Sequence, residues 1–275
     1  MRRLILLLSV ALLGSCSWVG NAIKEGAIEA VSYSSRAHFT LTGKVPENYW
    51  FQYSAYYQPE KHMACARFSP GTGGYVPREH VEQAITEPMS EPHTFRYRIP
   101  LAYHTAGCTL KLVNVSMLAF SRFRSGDWSS GRDGASLGIY DTLPDSVPPF
   151  PASGVRELRG TCMWLFRLIG KNNSLVKILV CHEADEHWQV PQDYDQRRRL
   201  GASLRRDELN GKTVHVEFRH SQEERPLFRG TWLNTTAGWK PCIETHTSIR
   251  CQNPPEFRPF LINGRKCTVY PNCTE

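Results

Sequence analysis

Nine cysteines punctuate this 275-residue chain, and eight of them fall between residues 65 and 273. No other feature restricts the fold so tightly, because each bridge ties two points of the backbone and lowers the entropy of the unfolded chain. The eight are Cys65, Cys108, Cys162, Cys181, Cys242, Cys251, Cys267 and Cys273, while Cys16 stands apart near the N-terminus. Eight cysteines permit about a hundred connectivities, so the sequence leaves the pairing open. Pairing of sequence neighbours is the expectation: Cys65–Cys108, Cys162–Cys181, Cys242–Cys251 and Cys267–Cys273. The last four crowd into a tail poor in long apolar runs, which local bridges would hold. Zinc is the weaker reading, since there is no Cys-x-x-Cys pair and the tail spacings are not those of zinc fingers.

Thiols oxidise in exported proteins and stay reduced in the cytosol, so the leader matters. Met1-Arg2-Arg3 is a basic start, and Leu4 to Leu13 is an apolar run interrupted only by Ser9. That run is too short to span a bilayer, which takes roughly 20 residues. A buried N-terminal helix would need a polar face that the run lacks. Residues 1–15 therefore read as a targeting signal. One cleavage reading is an ordinary cut after Gly20-Asn21-Ala22, a small-x-small pattern. The other rests on Leu13-Gly14-Ser15-Cys16, which resembles the lipobox of bacterial lipoproteins. In that family the cysteine sulfur receives a diacylglyceryl group, the signal is cut before the cysteine, and its amino group is acylated. Ser17, standing where Asp would signal retention in the inner membrane, implies the outer membrane. Setting Cys16 aside as the lipid anchor leaves an even eight for the body. Four N-x-S/T triplets, at Asn114, Asn172, Asn234 and Asn272, are the sign of a rival eukaryotic secreted origin.

The formal net charge is +7, of which Arg2 and Arg3 supply two, leaving +5 after the leader. That excess suits an acidic protein partner or an anionic membrane surface and is too small to imply nucleic acid. The fold class expected is mainly β: two sandwich-like β domains with long loops, stapled by disulfides. The division runs as signal peptide 1–15, tether 16–37, N-terminal β domain 38–143, Pro-rich linker 144–154 and C-terminal cysteine-rich β domain 155–275. Alternation predicts strands over 38–45, 49–57, 63–68, 93–104, 108–120, 161–169, 175–181 and 212–220. Pro100 suggests an edge or a bulge. Residues 171–174 read as a hairpin turn, and 226–233 as a strand pairing with 212–220. Pro77 to Ile85 reads as a short helix with Pro in its first turn. The Gly-, Ser- and Asp-rich residues 125–138 read as a long loop.

No set of residues declares a chemistry. Gly134-Ala135-Ser136-Leu137-Gly138 matches the G-x-S-x-G of esterases, but neither an apolar strand before it nor a helix after it is evident. His182 and His187 are five residues apart, whereas a zincin helix needs four. No phosphate loop or dinucleotide fingerprint occurs. The expectation is a binding protein and not an enzyme, with no cofactor and no metal. The leader through Cys16, the strand TFRYRIPLAYH with Cys108 after it, and the cysteine-rich C-terminal half together resemble immunity lipoproteins of type VI secretion phospholipase effectors. That resemblance implies a periplasmic protein on the outer membrane that binds an incoming phospholipase and blocks its active site. Candidate contacts are Trp128, Arg132 and Ser136 in the first loop. In the charged segment they are His187, Trp188, Arg197, Arg198, Arg199, Arg205 and Arg206, because Trp and Arg anchor interfaces. An envelope-assembly lipoprotein and a lipid hydrolase built on Ser136 are the alternatives.

Overall fold

The computed structural model describes residues 27–28, 30–61, 65–69, 71–122, 130–245 and 247–274. The leader, Cys16 and Trp128 lie outside the described residues. In chain order the strands are β1 (Tyr33–Ser34), β2 (His38–Val45), β3 (Tyr49–Pro59), β4 (Ala66–Ser69), β5 (Gly74–Pro77), β6 (His80–Ile85), β7 (His93–Pro100), β8 (Ala102–Thr105) and β9 (Cys108–Arg122). They continue as β10 (Ser130–Tyr140), β11 (Val155–Ile169), β12 (Ser174–Glu183), β13 (Gly201–Arg205), β14 (Thr213–Pro226), β15 (Trp232–Thr235), β16 (Gly238–Pro241), β17 (Phe260–Ile262) and β18 (Arg265–Cys267). The mainly β, disulfide-stapled class expected from the sequence is what the structure shows. The four bridges join Cys65 to Cys108, Cys162 to Cys181, Cys242 to Cys251 and Cys267 to Cys273.

Two seven-stranded sheets make the body. In the first, the long strand β9 pairs along one side with β3, and β6 lies outside β3. Its other side holds β8 and then β10, with β1 beyond β8 and β13 running parallel to β10. The second sheet runs β18-β17-β12-β11-β14-β2-β7. Alternation decides which faces meet. Phe39 and Leu41 of β2, Val214, Val216 and Phe218 of β14, Phe51 of β3, Leu112, Val115 and Met117 of β9, and Leu137 of β10 are all fully buried or nearly so. Phe51 stacks on Phe95 of β7 with ring centroids 3.8 Å apart, across the space between the sheets. Burying this many large apolar side chains, each contributing about 1.5–3 kcal/mol, is the main force holding the sandwich.

The division at 144–154 is corrected by the strand pairing. β2, from the N-terminal half, lies between β7 and β14 and runs parallel to β14, with Leu41 opposite Val214. β13, from the C-terminal half, extends the first sheet through Ser136 opposite Gly201. Both halves build both sheets around one core. Strands change sheet at corners: β1 leads into β2, and β7 into β8 through Leu101, whose amide donates to the Ala37 carbonyl. Pro100 sits at the end of β7, an edge strand, where its missing amide costs no ladder bond. A second, smaller core lies farther along the chain. Phe166, Trp232, Phe260, Tyr270 and the Cys267–Cys273 bridge pack together. The bridged tail thus closes over the ends of β11 and β12.

Four local expectations are also corrected. Residues 80–85 form strand β6 and not a helix, because pairing with β3 gives their inward polar side chains partners. The His80 ring stacks on Tyr103 at 3.5 Å, and Glu82 accepts from the Tyr53 hydroxyl at 3.0 Å. The expected loop at 125–138 is, from Ser130 onward, strand β10. Residues 226–233 do not pair with 212–220; β14 runs on to Pro226 alongside β11, and β15 pairs with β16. Finally, the last residues of the expected tether belong to the body, since Tyr33 and Ser34 pair with β8.

Candidate functional site

The two ends of the sandwich differ in character. At the near end the chain enters through Tyr33, opposite His104, beside the β8–β9 turn and the Cys65–Cys108 bridge. At the far end lie Tyr49, the last residues of β9, the distal half of β14 and the charged excursion 184–200.

A bulge organises the far end. Along β11 and β14, Cys162 faces His220 but Trp164 faces Glu224, so residues 221–223 oppose Met163 alone. Such an insertion bends a strand and re-aims its side chains. Here it turns Glu223 and Glu224, neighbours in sequence, toward different partners. Glu223 accepts from Arg197 Nη2 at 2.9 Å. The Arg197 side chain is 5% exposed, and it also donates to the Pro191 carbonyl at 2.8 Å and lies against Met163 Sδ at 3.2 Å. The guanidinium groups of Arg197 and Arg225 both lie over the Tyr194 ring, 5.4 and 4.7 Å from its centroid. These contacts fasten the excursion to the sheet. Beneath it lies His182, buried, its ring edge-on to that of Tyr194 with centroids 5.2 Å apart. Burial, then the charge of Arg197, lowers its pKa, opposed by Asp133, the Arg198 backbone and Glu223.

Glu224 has a different setting. It accepts from the ammonium of Lys177 at 2.5 Å and from the Tyr270 hydroxyl. Lys177 is the lone charge of the strand LVKILVC, and its side chain is 2% exposed. A buried ammonium persists only with a paired carboxylate. Nearby, His220 Nδ1 lies 2.7 Å from the Tyr49 hydroxyl. Burial pushes the Tyr49 phenol well above its ordinary pKa and lowers that of His220. Both shifts favour the neutral forms of the pair. Tyr49, His220 and Glu224 line a cleft of about 580 Å³, with Ser121, Arg122 and Trp164 on its walls. A second cleft, of about 960 Å³, lies under the excursion between Glu183, Pro191 and Arg198. Arg219, on the wall of the first, sits over the Trp188 ring at 3.7 Å. Trp188 holds a positive φ of 63°, a strained setting for a bulky residue that the surrounding contacts must enforce.

The structure sorts the residues singled out from the sequence. His187, Arg198 and Arg199 are exposed on the excursion, and Trp188 is half-buried under Arg219. Arg197 is an internal clasp. Arg205 and Arg206 lie toward the near end, engaged with Asp207 and Glu208 and with Asp141 and the Leu112 carbonyl. The arginine cluster is thus not one patch. Arg132 and Ser136 are exposed on the outer face of the first sheet, in register with Phe120 and Ser116 of β9. Beside Arg132 in that face, Trp50 stacks on Phe120 at 5.3 Å, with Arg122 5.7 Å over the indole.

Ser136 sits mid-strand, not on a strand-to-helix turn. Its hydroxyl accepts from Asn114 at 2.8 Å, and no histidine or carboxylate bonds it among the described residues. The same contact places Asn114, one of the N-x-S/T positions, inside the ladder of β9. Among the described residues no group of three or more His, Cys, Asp or Glu side chains is placed to hold a metal ion, and no helix is long and apolar enough to cross a membrane.

Sequence reading passed over Tyr49, Lys177, Glu224 and Tyr270, and weighed His182 only as a metal ligand. One signal was available: a single Lys inside LVKILVC has to be buried and paired. The others meet only through tertiary structure. No family model matches the chain, and no curated protein or solved structure matches it.

Proposed function

We propose that this chain is a binding lipoprotein of the bacterial periplasm, held on the outer membrane through Cys16. Its partner in this reading is a toxic phospholipase effector, whose active site it occludes as an immunity protein. One observation carries the anchoring: the eight body cysteines pair among themselves, which leaves none of them for a bridge to Cys16. The body is joined to the anchor at its near end, so its far end is presented to the periplasm. That end offers the Trp188–Arg219 pair, the exposed His187, Arg198 and Arg199, and the Trp50–Phe120–Arg122 group. Half-buried aromatic rings with arginines over them are the usual anchors of a protein interface, and the guanidinium groups suit an acidic partner.

The test is co-purification of the mature protein with the phospholipase encoded beside it, together with an assay of that enzyme. A tight complex and loss of lipase activity are expected, both weakened at least tenfold by Trp188→Ala with Arg219→Ala. A chain that neither binds nor inhibits the enzyme, yet whose deletion damages the envelope in the absence of toxin, points instead to envelope assembly.

A further inference from the structure

We infer that the near end of the body rests on the bilayer surface, with the aromatic pair Phe68 and Tyr75 of the hairpin β4–β5 set among the lipid headgroups; this rests on the anchored reading above.

The hairpin belongs to neither main sheet: among the described residues β4 and β5 pair only with each other. A two-stranded ribbon on its own is marginal in water. Phe68 and Tyr75 are direct cross-strand partners with ring centroids 5.8 Å apart, yet they are 43% and 69% exposed. Among the described residues nothing covers the outward side of this pair. A ring that is apolar at its base and polar at its hydroxyl is matched to the membrane–water interface.

Position singles out lipid among the possible occupants. The root of the hairpin is bridged to the first residue of β9 by Cys65–Cys108. Cys108 closes the β8–β9 turn opposite Thr105, and the neighbouring residue of β8, His104, faces Tyr33. Tyr33 stacks on His104 at 4.8 Å, and Ser32 donates to Thr105 at 2.8 Å. The hairpin therefore leaves the body beside the point where the N-terminal segment joins it. Val31 and Tyr33 at that point are themselves 71% and 63% exposed. The segment between Cys16 and Tyr33 is short, spanning at most about 60 Å even when fully extended. An anchor at Cys16 thus holds this end near the bilayer, where a weak contact is sustained by high effective concentration.

Charge agrees. Lys61 and Arg67 are exposed and make no ion pair among the described residues, whereas Glu60 is paired to Lys111 and Glu79 accepts from Gln58. The cations are open to anionic headgroups.

The experiment places a nitroxide at Tyr75→Cys or, as the far-end control, at Glu186→Cys in the full-length, processed protein. Samples are reconstituted in vesicles of phosphatidylethanolamine containing phosphatidylglycerol. Collision rates with oxygen and with a water-soluble nickel chelate are then compared. The expected result is a severalfold higher oxygen-to-nickel ratio at 75 than at 186, lost when the vesicles are dissolved. Equal, water-like ratios at both sites overturn the proposal. So does protection at 75 that needs a periplasmic protein and no lipid, which would make the hairpin a protein contact. The mass of the mature N-terminus in the same sample reports the anchor separately. If Cys16 is unacylated the anchored reading fails. The hairpin proposal then survives only if position 75 of the free chain still enters added vesicles.

Discussion

The guanidinium of Arg197 bonds the carboxylate of Glu223 at 2.9 Å, joining the excursion 184–200 to the one place where β14 bulges away from β11. A charged surface segment is held in a single position by an internal ion pair. Arg197→Ala is expected to lower stability by about 2 kcal/mol, below the full cost of splitting a buried pair because Glu223 is partly solvated. It should also open the bonds after Arg198 and Arg199 to trypsin while the rest of the body stays resistant. Arg197→Lys should restore little, since an ammonium cannot serve Glu223, Met163 and the Pro191 carbonyl at once. Limited proteolysis with urea unfolding measures both effects.

Lys177 and Glu224 supply a second prediction. Glu224→Ala deprives an ammonium that is 2% exposed of its carboxylate, with an expected cost of about 3 kcal/mol. Lys177→Met combined with Glu224→Leu should recover most of that loss, because no charge is then buried. Tyr270→Phe removes only a hydroxyl donor and should cost about 2 kcal/mol. Urea denaturation of the oxidised protein distinguishes the three.

Two histidines, the buried His182 and the more exposed His220, make stability depend on pH. His182 and His220 both titrate below the ordinary value of 6.5 when folded, chiefly through burial. Between that value and the folded one, the unfolded chain binds more protons, so unfolding becomes easier as acid is added. Stability should be complete above about pH 6.5 and fall progressively as the pH drops through the folded values. His220→Gln should flatten the profile. Thermal unfolding of wild type and variant from neutral to mildly acid pH is the measurement.

Disulfide mapping under non-reducing conditions should return the four sequence-neighbour bridges. Replacing both Cys65 and Cys108 with Ser releases a crosslink of sequence separation 43. The chain-entropy relation assigns it about 4 kcal/mol. The shorter Cys162–Cys181 link, separation 19, should contribute about 3 kcal/mol by the same relation. Guanidinium unfolding of the paired Ser variants checks the order.

The strands with one buried face were legible. In β9, Leu110, Leu112, Val115 and Met117 are all buried, and hydrophobic periodicity reported the strand. The β11–β12 hairpin turn was legible too, with Ile169 opposite Ser174. β10 was misread because its glycines look like loop residues. Gly134 lies where a Cβ would strike the Met117 carbonyl, and Gly131 packs against Trp164 and Leu179. They are there for close approach between strands, a reason visible only once the neighbours are placed. β6 was misread because Val81, Ala84 and Ile85 fall at helical spacing. Its strand pattern depends on polar residues facing inward to aromatic partners. The polar cluster at the far end was illegible for a related reason. Tyr49 and His220 meet across 171 residues, and nothing local to either announces the other.

The parallel pairing of β2 with β14 also sets an order of events when the polypeptide is made. Thr40 needs Thr213 as its neighbour, so a nascent chain that has emerged only to β12 has β7 alone to shield β2. Until the last quarter of the chain arrives, one edge of an apolar strand stands open to other molecules. Late completion of this kind raises contact order and slows folding. It also leaves a growing chain exposed to association with its own copies. A holding factor that covers residues 38–45 during synthesis would suppress aggregation more than one acting on the tail, whose bridges close within a few residues of each other.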